Sequence, residues 1–203
     1  VDCGCPDGPL AVQPYGMFVA RYDGAGVCVR QMSYGFNTAP HGLVVAENGD
    51  LVVAGAHSNG FEVEGTTLAH AGGDFNFDAY ILRFTKGGKL LWARSFGAPG
   101  HDDDVDEVVI GEGGDVFAAG HISGSVDVGN GVVLEATTTS DLFVIRFSGA
   151  DGKPVWGRRF ANKTIFPVLF AHLASDGAGN LRVGGLFSGD MDFGDVDSPH
   201  PAG

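Results

Sequence analysis

Basic residues are scarce. Lys and Arg number 12 against 25 Asp and Glu, a formal net charge of −13. That sign repels phosphate backbones and anionic lipid surfaces, which argues against nucleic acid and membrane surfaces as partners. No run approaches the roughly 18–20 consecutive apolar residues that a membrane helix needs, so no membrane insertion is expected. No basic stretch followed by an apolar one marks a signal peptide. The chain opens on Val1 rather than Met, as expected of a mature or truncated piece. Cysteines number three (Cys3, Cys5 and Cys28), an odd count that does not describe a disulfide scaffold. Cys3 and Cys5 lack the further ligands a zinc site needs. They read as small buried or free thiols, and a bridge from Cys28 to Cys3 or Cys5 in an oxidising compartment is the alternative. Proline numbers only 9 and glycine follows no every-third-residue pattern, which excludes collagen. No segment holds a sustained helical period. No Ser-His-Asp pattern, nucleophile elbow or phosphate loop is present.

Glycine, by contrast, is abundant: 34 of 203 residues, with 15 Phe and 44% hydrophobic content. This composition excludes a disordered polar tract and points to a globular all-β chain with many tight turns. Internal repeats give that reading its form. FVARYDGAGVCVRQMSYG (18–35), YILRFTKGGKLLWARSFG (80–97) and FVIRFSGADGKPVWGRRFA (143–161) each carry a fixed arginine: Arg21, Arg83 and Arg146. GDLVVAG (49–55), GDVFAAG (114–120) and GNLRVGG (179–185) form a second set, each 65 residues after the last. A looser third set holds Val63-Glu64, SVDVG (125–129) and DMDFG (190–194). The units divide at about 1–62, 63–125 and 126–190, with the start of another at 191–203.

Apolar alternation and turn residues predict twelve strands. They lie at 17–22, 27–33, 41–46, 50–56, 79–84, 89–96, 105–110, 115–121, 142–147, 153–160, 168–174 and 181–187. These are two four-stranded antiparallel sheets and two half sheets. Such units in tandem describe a β-propeller, here a single partial domain over 1–203 with about three blades. The small residues of each second strand (Ala54, Gly55; Ala118, Ala119, Gly120; Gly184, Gly185) suit crowding near the axis. Trp92, Phe96, Trp156 and Phe160 suit the wider core between blades.

At these residues the chain resembles the bacterial seven-bladed β-propeller repeat family labelled SBBP. Asp78-Ala79-Tyr80 and Asp141-Leu142-Phe143 match the opening of that family's unit, Leu91-Trp92-Ala93-Arg94-Ser95-Phe96-Gly97 its middle, and Ser123 to Gly129 its end. FVARYDGAG and GDLVVAG are also similar to the Delta-60 repeat. The first unit departs from the pattern, with Arg30 in place of tryptophan and Gly16 in place of aspartate. The resemblance implies a secreted or cell-surface, non-enzymatic module that serves as an interaction scaffold for a protein or glycan. It transfers no catalytic residue and no cofactor. Three blades leave open edges, so the remaining blades of the same chain or self-association are expected to close the ring.

Three spots carry candidate chemistry. His101-Asp102-Asp103-Asp104-Val105-Asp106-Glu107 clusters carboxylates. Asp102, Asp104 and Asp106 are candidate Ca²⁺ ligands, although the glycine and distal glutamate of an EF-hand are missing; a solvated acidic loop is the competing reading. The Gly88-Lys89-x-x-Trp92 and Gly152-Lys153-x-x-Trp156 strings are similar to tryptophan-docking repeats of quinoprotein dehydrogenases, which makes a PQQ-type propeller enzyme the rival class. Such enzymes use a vicinal cysteine pair, which Cys3 and Cys5 are not. A carbohydrate- or Ca-binding propeller is the third. Asp78, Asp141, Asp2, Asp127 and Asp192 recur in phase and are expected to bond backbone at turns. His57 and His121 occupy matched slots, a placement that follows from the repeat itself.

Overall fold

A computed structural model describes residues 4–10, 14–71, 73, 76–136, 140–162, 169–176, 179–186 and 190–193. The described residues hold seventeen strands and no α-helix. The strands are β1 (Met17–Tyr22), β2 (Cys28–Tyr34), β3 (Thr38–Val45), β4 (Leu51–His57), β5 (Phe61–Val63), β6 (Thr66–Leu68), β7 (Asp78–Phe84), β8 (Leu90–Phe96) and β9 (Asp104–Ile110). After a 3-10 turn at Glu112–Gly114 come β10 (Val116–Ile122), β11 (Ser125–Gly129), β12 (Val132–Glu135), β13 (Asp141–Phe147), β14 (Pro154–Asn162), β15 (Leu169–Ser175), β16 (Leu181–Leu186) and β17 (Met191–Asp192).

Two four-stranded antiparallel blades form the body, β3-β4-β7-β8 and β9-β10-β13-β14, and β17 adds a fifth strand to the second. The hairpin β1-β2 matches the outer half of a blade, and β15-β16 matches the inner half. The chain is thus a β-propeller fragment of two complete blades and two half blades, as the repeat predicted. The inner strands follow one another: β9 packs against β3 and β4, and β15 against β9 and β10.

Period-two alternation explains why the middle strands are buried on both faces. In β4, Val52 and Ala54 face the second blade, while Val53 faces the β1-β2 hairpin. In β7, Ile81 faces forward, and Tyr80 and Leu82 face back. Among the described residues, three cores therefore fill three seams. The largest lies between the complete blades and gathers Trp92 and Phe96 from one with Phe143 and Phe147 from the other. Trp92 also donates its indole N–H to the Gly149 carbonyl of the next blade, at 3.0 Å. Arg83 donates to the carbonyls of Gly114 (2.7 Å) and Gly149 (3.1 Å), and its guanidinium pairs with Asp50 at 3.2 Å. Arg30, which replaces the tryptophan in the first half blade, still lies over Gly88 as Trp92 lies over Gly152.

Two short hairpins lie outside the twelve expected strands. β5-β6 closes the core behind the first blade, and β11-β12 closes the core between the blades. Their turns place both central residues at positive φ: Glu64 (47°) with Gly65 (79°), and Asn130 (51°) with Gly131 (80°). That is the geometry of the tight hairpin turn whose twist matches its strands. Cys5 and Cys28 form a disulfide, with Cα atoms 4.8 Å apart. This corrects the reading of these two as thiols and ties the segment before β1 onto β2. Cys3 lies outside the described residues.

Candidate metal centre at the blade seam

The inner strands of both blades carry a bulge at the same slot. In β3 the register skips His41 between Pro40 and Gly42, and in β9 it skips Asp106 between Val105 and Glu107. A bulge re-aims its side chain and brings backbone close to the neighbouring strand. The facing strands yield at that point with glycine. A Cβ on Gly55 would meet the carbonyl oxygen of Ala39, and one on Gly120 would meet that of Asp104. Gly55 and Gly120 therefore serve the bulges.

The two bulge residues converge across the seam. His41 comes from the first blade; Asp104 and Asp106 come from the second. The His41 Nδ1 lies 3.0 Å from one carboxylate oxygen of Asp104 and 2.9 Å from the other. One donor atom from each of the three residues lies within 4.8 Å of the others. Asp106 is held from the far side, its Oδ2 accepting the Ala171 N–H of β15 at 2.9 Å. Its Oδ1 faces His121, which sits directly across from Asp104 on β10, with Nδ1 3.7 Å away. That nitrogen is shielded from water and has no hydrogen-bond partner.

The charges are coupled. The hydrogen bond to Asp104 raises the pKa of His41 above its usual value, outweighing partial burial. Burial opposes the charged form of His121, yet the carboxylates of Asp106, Asp104 and Asp103 outweigh it and raise its pKa. The arrangement offers two carboxylates and two imidazoles at one seam, a donor set suited to a divalent cation.

The three predicted Ca²⁺ ligands separate. Asp104 and Asp106 meet, but as the start of β9 and its bulge rather than within a solvated loop. Asp102 lies apart and accepts the Phe77 N–H at 3.1 Å. Asp103 is fully buried and braces the entry to β9, accepting the N–H groups of Ala98 (2.7 Å) and Ser123 (2.8 Å). Burial pushes its pKa up to about 6, against the pull of those two bonds. Sequence reasoning missed His41. It lies 63 residues from Asp104, and only the shared bulge slot joins the two.

The other recurrent groups are structural. Asp78 accepts the Ala71 N–H, and Asp141 accepts the Asn162 N–H at 2.9 Å while pairing with Arg159 at 2.7 Å. His57 is fully buried, its Nδ1 donating to the Asn59 carbonyl at 2.8 Å and its Nε2 lying 2.7 Å from the Ser95 hydroxyl. Matched slots thus diverge: His57 is enclosed, while His121 faces carboxylates. Asp127 accepts the Gly129 N–H at 2.8 Å, Asp192 lies in β17, and Asp2 lies outside the described residues. No family model matches the sequence, and comparison with curated proteins finds no match.

Proposed function

We propose that this chain is a non-enzymatic interaction module of a secreted or cell-surface β-propeller, and that it takes protein strands at its open edges. The contrast between equivalent positions carries the reading. Phe18 and Tyr22 of β1 are 56% and 51% exposed, whereas Tyr80 and Phe84 at the same phase of β7 are 0% exposed. Val183 of β16 is 42% exposed, and its counterpart Val53 in β4 is 0%. Among the described residues, β1 and β16 each lack a strand on one side. Unpaired strand edges beside apolar faces recruit further strands.

In the isolated chain the occupant is a second copy. β1-β2 is the half of a blade that β15-β16 lacks, so two copies complete two blades and close a six-bladed ring. A cleft of about 420 Å³ lined by Val19, Met32, Leu43, Val45 and Leu51 lies beside β1, where the incoming inner hairpin would pack. The Cys5–Cys28 disulfide fits an oxidising compartment, as does the resemblance to secreted propeller repeats. Trp92 is spent on docking the next blade, which favours packing over cofactor chemistry for the Gly-Lys-x-x-Trp strings.

Two measurements test this. Sedimentation velocity from 1 to 100 µM (roughly, the span in which edge contacts of this size associate) should show concentration-dependent association. A non-aggregating monomer throughout would overturn the edge reading. Dye-linked alcohol oxidation with added PQQ and Ca²⁺ should show no turnover, and sustained turnover would overturn the non-enzymatic one.

A further inference from the structure

We infer that His41, Asp104, Asp106 and His121 form a binding site for a borderline divalent transition metal such as Zn²⁺, placed across the seam of the two complete blades. This does not depend on whether the open edges take a partner.

Ligand chemistry selects the metal. Ca²⁺ prefers six to eight oxygen ligands, and this seam supplies two carboxylates with Asp102 turned away to Phe77. Imidazole nitrogen beside carboxylate suits Zn²⁺ and its neighbours instead. Tetrahedral Zn²⁺ holds N and O ligands at about 2.0–2.1 Å, so neighbouring donors lie roughly 3.3 Å apart. His41 and Asp104 are already at 2.9 Å. Asp106 Oδ1 and His121 Nδ1 are 3.7 Å apart, and the widest spacing within the His41, Asp104 and Asp106 set is 4.8 Å at most. The donors of His41, Asp104 and Asp106 therefore need to draw in by about 1.5 Å at their widest spacing, which side-chain rotation supplies, and His121 closes on the set through Asp106.

Three observations beyond the carboxylates support a ligand. The His121 Nδ1 is buried, makes no hydrogen bond and faces Asp106 Oδ1 at 3.7 Å. A buried nitrogen held only by a 3.7 Å ion pair would gain a direct bond from a metal. Asp106 is pre-aimed, because β15 occupies its Oδ2 and leaves Oδ1 toward the cluster. Such support from outside the ligand set fixes a ligand's orientation. Finally, the His41 side chain is 40% exposed, so an ion has an entry path. On binding, the metal would take the place of the contact between His41 Nδ1 and the Asp104 carboxylate.

Calorimetric titration of the whole chain with ZnCl₂ at pH 7.5 should give one site, with CaCl₂ at least about 100-fold weaker. His41→Ala, at an exposed position, should weaken Zn²⁺ binding by about 10-fold or more, and His121→Ala similarly. Asp102→Asn should leave it unchanged. Co²⁺ should give the visible absorption of a tetrahedral N/O site, lost in His41→Ala. Four results would each overturn the proposal: no binding of Zn²⁺ by the folded wild-type chain, binding unchanged in both histidine variants, Ca²⁺ bound as tightly as Zn²⁺, or a Co²⁺ spectrum unaltered by His41→Ala.

Discussion

Trp92 and Trp156 hold the same place in successive repeats, and their replacement should cost different amounts. Trp92 is 6% exposed in the core between two complete blades, and its indole donates to Gly149. Truncating a buried tryptophan to alanine costs about 3–5 kcal/mol, and the lost hydrogen bond adds about 1. Gly149 O keeps its bond from Arg83, so no acceptor is orphaned. Trp92→Ala should therefore destabilise by about 4–6 kcal/mol. That is a large share of the roughly 5–15 kcal/mol a domain holds. Trp156 is only partly buried, against Phe117 at 5.9 Å, because β15-β16 covers it with half a blade. Trp156→Ala, which removes less buried apolar area, should cost about 1–2 kcal/mol. Urea unfolding followed by circular dichroism measures both. Equal costs, or a Trp92→Ala cost under about 1 kcal/mol, would refute the seam as the source of stability.

Further outcomes follow from single positions. Gly55→Ala drives a methyl into the Ala39 carbonyl and should cost about 3 kcal/mol, whereas Gly184→Ala has open space and should stay within about 0.5 kcal/mol; thermal melts compare them. Burial holds the His57 pKa below 6.5, so just beneath that pH the unfolded chain binds a proton that the folded chain refuses. Its contribution is complete above pH 6.5 and is lost as pH falls, so stability should drop more steeply below 6.5 in the wild type than in His57→Gln, read by urea midpoints at stepped pH. In the six-bladed ring, the register of β4 with β7 would set Arg182 opposite Arg21 of the second copy, a like-charge pair where the complete blade has Val52 opposite Arg83. Arg182→Glu should therefore tighten self-association by about 5-fold, a gain that high salt removes; unchanged sedimentation would count against that register. Reducing the Cys5–Cys28 bridge, which spans 23 residues, should cost about 3 kcal/mol by loop entropy.

The fold was legible because the repeat encodes it. All twelve expected strands form, and Val52, Val53 and Ala54 alternate between two cores as period two requires. The short hairpins were not found, since three- to five-residue strands carry little periodicity. Asn130-Gly131 was the available signal, as a turn pair that tolerates two positive φ values. β17 has two residues, and only its pairing with β14 defines it. The site was half legible. The acidic run showed Asp104 and Asp106 without showing which neighbours they meet. His41 joins them through a bulge that depends on Gly55, and a spacing of 63 residues says nothing about a seam until the blades are stacked.

Hydrogen exchange tests the architecture most directly. Strands closed on both sides should protect their amides through global stability, and strands with an open edge should exchange through local opening. Mass-spectrometric exchange on the whole chain at low concentration should show β4, β7, β10 and β13 as the slowest segments, with β1 and β16 exchanging far faster. Equal protection of β16 and β4 under those conditions would contradict the account of two complete blades flanked by open halves.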